Sequence, residues 1–115
     1  MIHKDLHVWQ RSMDLATKIY QLVEDLPKNN GFVLKQQLQK TALSVPSNIA
    51  EGAGRTTQKE LLRFLDIANG SLTELETQLI LVNNLKYSDT SKLIDEDITV
   101  IRKMLYKLKR SIRKE

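Results

Sequence analysis

The sequence predicts an all-α protein folded as an antiparallel, up-down-up-down four-helix bundle. Apolar residues recur at steps of three and four through four successive segments, the periodicity of amphipathic helices. Turn-forming clusters of Gly, Pro, Asn, Asp and Ser separate those segments. No stretch alternates apolar and polar residues as a half-buried strand would. Four amphipathic helices joined by short turns have few ways to bury every apolar stripe, and the up-down bundle is the commonest.

The first helix is predicted over about residues 7–25. Trp9, Met13, Ala16, Tyr20 and Val23 lie on one face, with Leu15, Ile19, Leu22 and Leu26 as a second stripe beside it. Pro27 and the run Lys28-Asn29-Asn30-Gly31 end it. The second helix, about 32–53, presents Leu34, Leu38, Ala42, Val45 and Ile49. Pro46 removes a backbone donor and predicts a kink near Ala42 to Pro46, with Ser44 and Ser47 available to the freed groups. Gly52 and Gly54 are expected to close this helix.

Thr57-Gln58-Lys59-Glu60 has the form of a capping box and opens the third helix, about 58–86. Leu61, Leu65, Ala68, Leu72, Leu75, Leu79 and Val82 keep strict four-three spacing along it. Asp89, Thr90 and Ser91 supply turn and cap chemistry for a fourth helix over about 90–112, and Asp95, Glu96 and Asp97 suit its positive end. Its buried face is Ile94, Ile98, Ile101, Leu105, Leu108 and Ile112.

At 115 residues, 41% hydrophobic and 28% charged, with four Gly and two Pro, the chain reads as one globular domain over 1–115. The lack of Cys excludes disulfides, thiolate zinc sites and a cysteine nucleophile, and fits a cytoplasmic protein. Apolar runs such as Leu79-Ile80-Leu81-Val82 are far short of the roughly 20 residues that cross a bilayer, so no membrane partner is expected. Met1-Ile2-His3-Lys4-Asp5 lacks the apolar run of a signal peptide.

Helix 3 carries apolar residues away from its core stripe. With about 100° per residue and Leu61 at the origin, Leu62 and Ile80 fall near 100°, Leu81 near 200° and Ile67 near 240°. Together with the second stripe of helix 1, these four residues predict a homo-oligomer.

The net charge of +4 is unevenly spread: residues 1–30 balance four bases against four acids, whereas 102–114 hold seven bases and no acid. Lys103, Lys107, Arg110 and Lys114 fall on one edge of helix 4, opposite its apolar stripe. Such an edge is either a solvated face favoured near a helix C-terminus or a surface for nucleic-acid phosphates.

Other constellations point away from catalysis. His3 and His7 are spaced as two metal ligands could be, but there is no third histidine and no Glu-x-x-His motif, so no metal or cofactor is expected. Glu51-Gly52-Ala53-Gly54-Arg55 lacks the Gly-Lys-Ser/Thr ending of a phosphate loop; a Glu51–Arg55 pair within a helix end explains it better. No nucleophile stands beside a base, so an enzyme is not expected. Asn48, Glu51, Gly70, Ser71 and Glu74 are small or polar positions within helices. A turn centred near Arg55 would bring Gln36 or Gln37 level with Glu74, for a buried hydrogen bond or, less simply, a small-ligand site using Asn48, Glu51 and Glu74. Gly70 predicts close approach by a neighbour such as Trp9.

Several segments together resemble a known family. Asp5-Leu6-His7-Val8-Trp9-Gln10, Leu26-Pro27, Leu34 with Gln37-Leu38, and Ser44-Val45-Pro46-Ser47-Asn48-Ile49-Ala50-Glu51-Gly52 resemble the 23S ribosomal RNA intervening-sequence proteins. Phe64-Leu65, Ala68, Gly70-Ser71, Glu74, Glu76-Thr77-Gln78-Leu79 and Arg102-Lys103-Met104-Leu105 continue the likeness over nearly the whole chain; Lys40-Thr41 departs from it, where the family often has Arg-Ala. The resemblance implies a bacterial antiparallel four-helix bundle that assembles as a ring-like homopentamer, with Pro46, Asn48, Glu51, Gly52, Gly70 and Glu74 as structural motif positions. A more distant branch serves as accessory protein to the reverse transcriptase of diversity-generating retroelements, binding enzyme and RNA through a basic surface. The function expected here is therefore a non-catalytic interaction module whose partners are its own copies and, through the basic helix, RNA or a nucleic-acid enzyme.

Overall fold

The computed structural model describes residues 1–114. Four long helical stretches make up the fold: α1 (His7–Leu22), α2 (Phe32–Ala53), α3 (Gln58–Asn84) and α4 (Thr99–Arg113), the last entered through a π-helical turn over Leu93–Ile98. Among the described residues there is no strand. Each helix packs on its neighbours in sequence and α1 closes the square against α4, while α1 and α3, like α2 and α4, face each other across the diagonal. Cross-helix pairs run in opposite orders: Thr41 meets Glu74 while Ser44 meets Ser71, and Arg102 meets Glu76 while Lys109 meets Asp66. The result is an antiparallel bundle extending 48 × 21 × 19 Å.

The strict four-three stripes of the last two helices are the core. Leu61, Leu65, Ala68, Leu72, Leu75, Leu79 and Val82 of α3 are all buried, opposite Ile98, Ile101, Leu105 and Ile112, with Ile94 and Leu108 packed at the margin. Helix α1 departs from expectation. Its buried face is Val8, Ser12, Leu15, Ala16 and Ile19, continued by Val23 and Leu26. Met13 and Tyr20, from the stripe read first, are 37% and 43% exposed. A polar residue on the core face disguised the true stripe: Ser12 is buried because its hydroxyl donates to the Val8 carbonyl at 2.7 Å.

Helix α2 is continuous through Pro46, which is buried. Ser44 does not turn back to the backbone group that Pro46 leaves unpaired; its hydroxyl is engaged with Ser71 at 2.8 Å. Gly52 lies inside the helix rather than ending it. A Cβ there would come 2.9 Å from Phe64 Cβ and 3.2 Å from the Leu61 carbonyl oxygen, so glycine permits α2 and α3 to close together before their turn. Gly70 is the opposite case: nothing lies within 4 Å of a Cβ added there. Trp9 does not approach it and instead meets the His3 ring edge-on at 5.1 Å.

The cap of α3 is half of the predicted box. Thr57 accepts from the Glu60 amide at 3.2 Å, but the Glu60 carboxylate turns to Arg63 at 3.6 Å. Before α4, the Ser91 amide donates to Asp89, which holds that exposed carboxyl below its ordinary range. Thr90 is not a surface cap: it is fully buried, and its hydroxyl donates to the Leu79 carbonyl at 2.7 Å. The π turn that follows has i to i+5 geometry, and it carries Asp97 to the α1 side, where Lys18 donates to it at 3.0 Å and Arg11 lies at 3.8 Å. Asp97, read from sequence as a helix-end acid, is therefore a buried tie between α4 and α1.

Candidate functional site

The basic edge of α4 is the first candidate. Lys103, Lys107, Arg110 and Lys114 are all exposed, and none has an ion-pair partner among the described residues. Two other bases of the same helix are consumed by packing: Arg102 reaches Glu76 at 3.1 Å and Lys109 reaches Asp66 at 3.0 Å. The fold thus sorts the run of bases into two that bind α3 and a set that faces water. Lys107 also borders a small apolar depression of about 280 Å³ with Leu6, His7, Val8, Met104 and Leu108.

The second candidate is the polar seam between α2 and α3. The Asn48 amide donates to the Ser44 carbonyl at 2.8 Å and to its hydroxyl at 3.0 Å, and that hydroxyl meets Ser71. One turn along, the Gln78 amide donates to the Thr41 hydroxyl at 3.0 Å, and both lie 3.4 Å from Glu74. The residue that bonds Glu74 across the seam is thus Thr41, one turn beyond the expected Gln37. The turn occupies 54–57, centred near Arg55 as the sequence suggested, yet the pairs Thr41–Glu74 and Ser44–Ser71 set the helices about one turn beyond the register that centre implies. Glu51 does not join the seam; it pairs with Arg55, as the sequence suggested. Asn48, Glu51 and Glu74 therefore do not converge on one ligand. The seam's polar atoms satisfy one another, except the buried Gln78 carbonyl oxygen, and such a zipper sets helix register rather than supplying a nucleophile.

The four outlying apolar residues of α3 separate into two patches. Ile80 and Leu81 are 45% and 46% exposed near the end of the helix, where the equally exposed Leu85 joins them; that leucine was missed because it lies beyond the strict spacing. Ile67 is 39% exposed, whereas Leu62 is half-buried against the core. Both line an open groove near the start of α3, about 20 Å from Ile80 at the helical rise of 1.5 Å per residue. Met13 and Tyr20 add exposed apolar surface on α1. Among the described residues there is no group of three or more potential metal-binding side chains, and no helix is long and apolar enough to cross a membrane.

The sequence profile described as 23S rRNA-intervening sequence protein matches residues 4–107, nearly the whole bundle. The chain belongs to the 23S rRNA-intervening sequence protein family. Its fold is similar to that of a crystal structure of a protein of unknown function from the S23 ribosomal protein family of Bacteroides thetaiotaomicron, with a TM-score of 0.81 and 25% identity over 90% of this chain and 98% of that one. Comparison with functionally curated proteins finds no match. Neither the family nor this structural relative indicates an enzymatic activity. Within this intervening-sequence family member, Asn48, Gly52 and Glu74 lie in or beside the α2–α3 packing and Pro46 is buried within α2, whereas Gly70 is exposed on α3.

Proposed function

We propose that this protein is a non-catalytic, single-domain cytoplasmic scaffold that assembles with its own copies, as a pentamer, and binds nucleic acid through the basic edge of α4. The observation that carries the nucleic-acid reading is the division of labour within that helix. Arg102 and Lys109 have acid partners, while Lys103, Lys107, Arg110 and Lys114 have none among the described residues and project from one exposed edge. Unpaired surface cations in a row exchange condensed counterions for phosphates, which makes binding steeply dependent on salt. Assembly is supported by the exposed Ile80, Leu81 and Leu85, a patch that a solitary bundle gains nothing by presenting to water.

The test is a salt titration of RNA binding to the purified protein. If four phosphates are engaged, log K against log salt falls with a slope of about −3 for a single strand. Charge reversal at Lys107 and Arg110 is expected to weaken binding and flatten that slope. An absence of binding at low salt would leave the protein as a structural assembly whose basic edge serves solubility.

A further inference from the structure

We propose that the open groove between the first turns of α3 and the last turn of α4 seats a single-stranded nucleic-acid segment, with phosphates on Lys59 and Arg113 and bases over Leu62 and Ile67. The inference rests on the nucleic-acid reading above and names the form of ligand that reading leaves open.

Folding concentrates charge in a way the linear sequence hides. The antiparallel topology brings residues 1–10, 51–66 and 103–114 to one end of the 48 Å bundle. Those segments hold ten bases against four acids, while residues 11–50 and 67–102 hold eight against nine. The positive charge of the molecule thus belongs to one end, and the basic edge of α4 is one side of it. Around that end the cations come from separate elements: Arg55 from the α2–α3 turn, Lys59 and Arg63 from α3, and Arg110, Arg113 and Lys114 from α4.

The groove lies within this end, about 730 Å³ in volume and lined by Gln58, Lys59, Leu62, Arg63, Asp66, Ile67 and Arg113. Its one acid among the described residues, Asp66, is already held by Lys109 at 3.0 Å. Arg63 is partly occupied by Glu60 at 3.6 Å and lies over the Phe64 ring at 5.3 Å. Lys59 and Arg113 have no acid partner among the described residues, so they are the cations with charge to offer. Arg113 follows Arg110 by one turn, which makes the groove continuous with the edge proposed to carry phosphates.

The apolar members select among nucleic acids. Duplex bases are stacked and hidden, so a duplex can use the cations but not Leu62 and Ile67. A single strand can turn unstacked bases onto an apolar floor while its phosphates meet the flanking charges. An acidic peptide would satisfy the same cations but brings no base to cover the apolar floor, and it serves as a competitor in the test.

The experiment measures binding of the full chain to a uridine oligonucleotide and to duplex RNA of equal length, by fluorescence anisotropy at low and physiological salt. The wild type is expected to favour the single strand about tenfold, equivalent to burying about 55 Å² of apolar surface at roughly 25 cal/mol per Å². Lys59→Glu with Arg113→Glu weakens both ligands but the single strand more, and so removes that preference. Ile67→Asn removes it without changing the salt slope, since no charge is lost. Lys107→Glu with Arg110→Glu weakens both ligands alike. Equal affinity of the wild type for both ligands, a preference that survives both groove variants, or displacement of RNA only by a polyglutamate peptide bound more tightly would overturn the seat while sparing the wider nucleic-acid reading. Failure of both RNAs to bind at low salt overturns both readings.

Discussion

Two glycines show how far a single residue's role depends on its neighbours. Gly52 and Gly70 both interrupt good helix-forming sequence, and the periodicity gives no means to tell them apart. In the fold, a methyl at Gly52 would strike Phe64 Cβ and the Leu61 carbonyl, neither of which can swing aside. A methyl at Gly70 would meet nothing. Gly52→Ala is therefore expected to destabilise the protein by about 1–3 kcal/mol through overpacking. Gly70→Ala is expected to stabilise the protomer by up to about 1 kcal/mol, because alanine is the better helix residue. Thermal melting of the two variants beside the wild type checks both signs, and a Gly70→Ala protein that melts lower would show that something does pack there. The same limit explains the Glu74 partner: a sequence can name a polar seam, but the axial offset at which the two helices pack decides whether Gln36, Gln37 or Thr41 fills it.

At the scale of helices, legibility followed the regularity of the apolar pattern. The stripes of α3 and α4 are strict and were read correctly. Those of α1 were read in part: Leu15, Ile19 and Leu26 of the second stripe are core, but Met13 and Tyr20 are exposed, because Ser12 occupies a core position through a bond to its own backbone and breaks the pattern. The π turn over Leu93–Ile98 has no signature in composition, since its extra residue is visible only in the i to i+5 spacing of its backbone hydrogen bonds. A π turn behaves as one residue inserted into an α-helix. Deletion of the exposed Glu96 should let the segment relax to regular helix and keep Ile98, Ile101 and Leu105 facing the core. Deletion of Lys103 rotates the following buried positions, Leu105 and Ile112, away from it. The expected outcome is a cooperative melt near the wild-type temperature for the first and loss of cooperative folding for the second, measured by circular dichroism. Equal damage from both deletions would mean that the π turn is anchored by its contacts, chiefly Asp97 with Lys18.

For the whole molecule, the bundle, its helix limits and its family were all present in the sequence, as periodicity and as the Ser44 to Gly52 segment. Its polarity was not. The basic end exists only because the topology gathers three distant segments, so a reading of the C-terminal helix alone found one side of a larger charged surface. The apolar surface of α3 likewise divides in space, with Ile80, Leu81 and Leu85 toward one end and Ile67 toward the other. The first group is the surface assigned here to a second copy, and it is far enough from the basic end for assembly and nucleic-acid binding to be varied independently. Native mass spectrometry of the wild type beside Ile80→Glu with Leu81→Glu tests this assignment most directly. The wild type should appear as a closed oligomer at five times the 13.3 kDa chain mass, and the variant as a helical monomer that melts cooperatively. A wild type of one chain mass at micromolar concentration, or a variant that assembles as before, would contradict it.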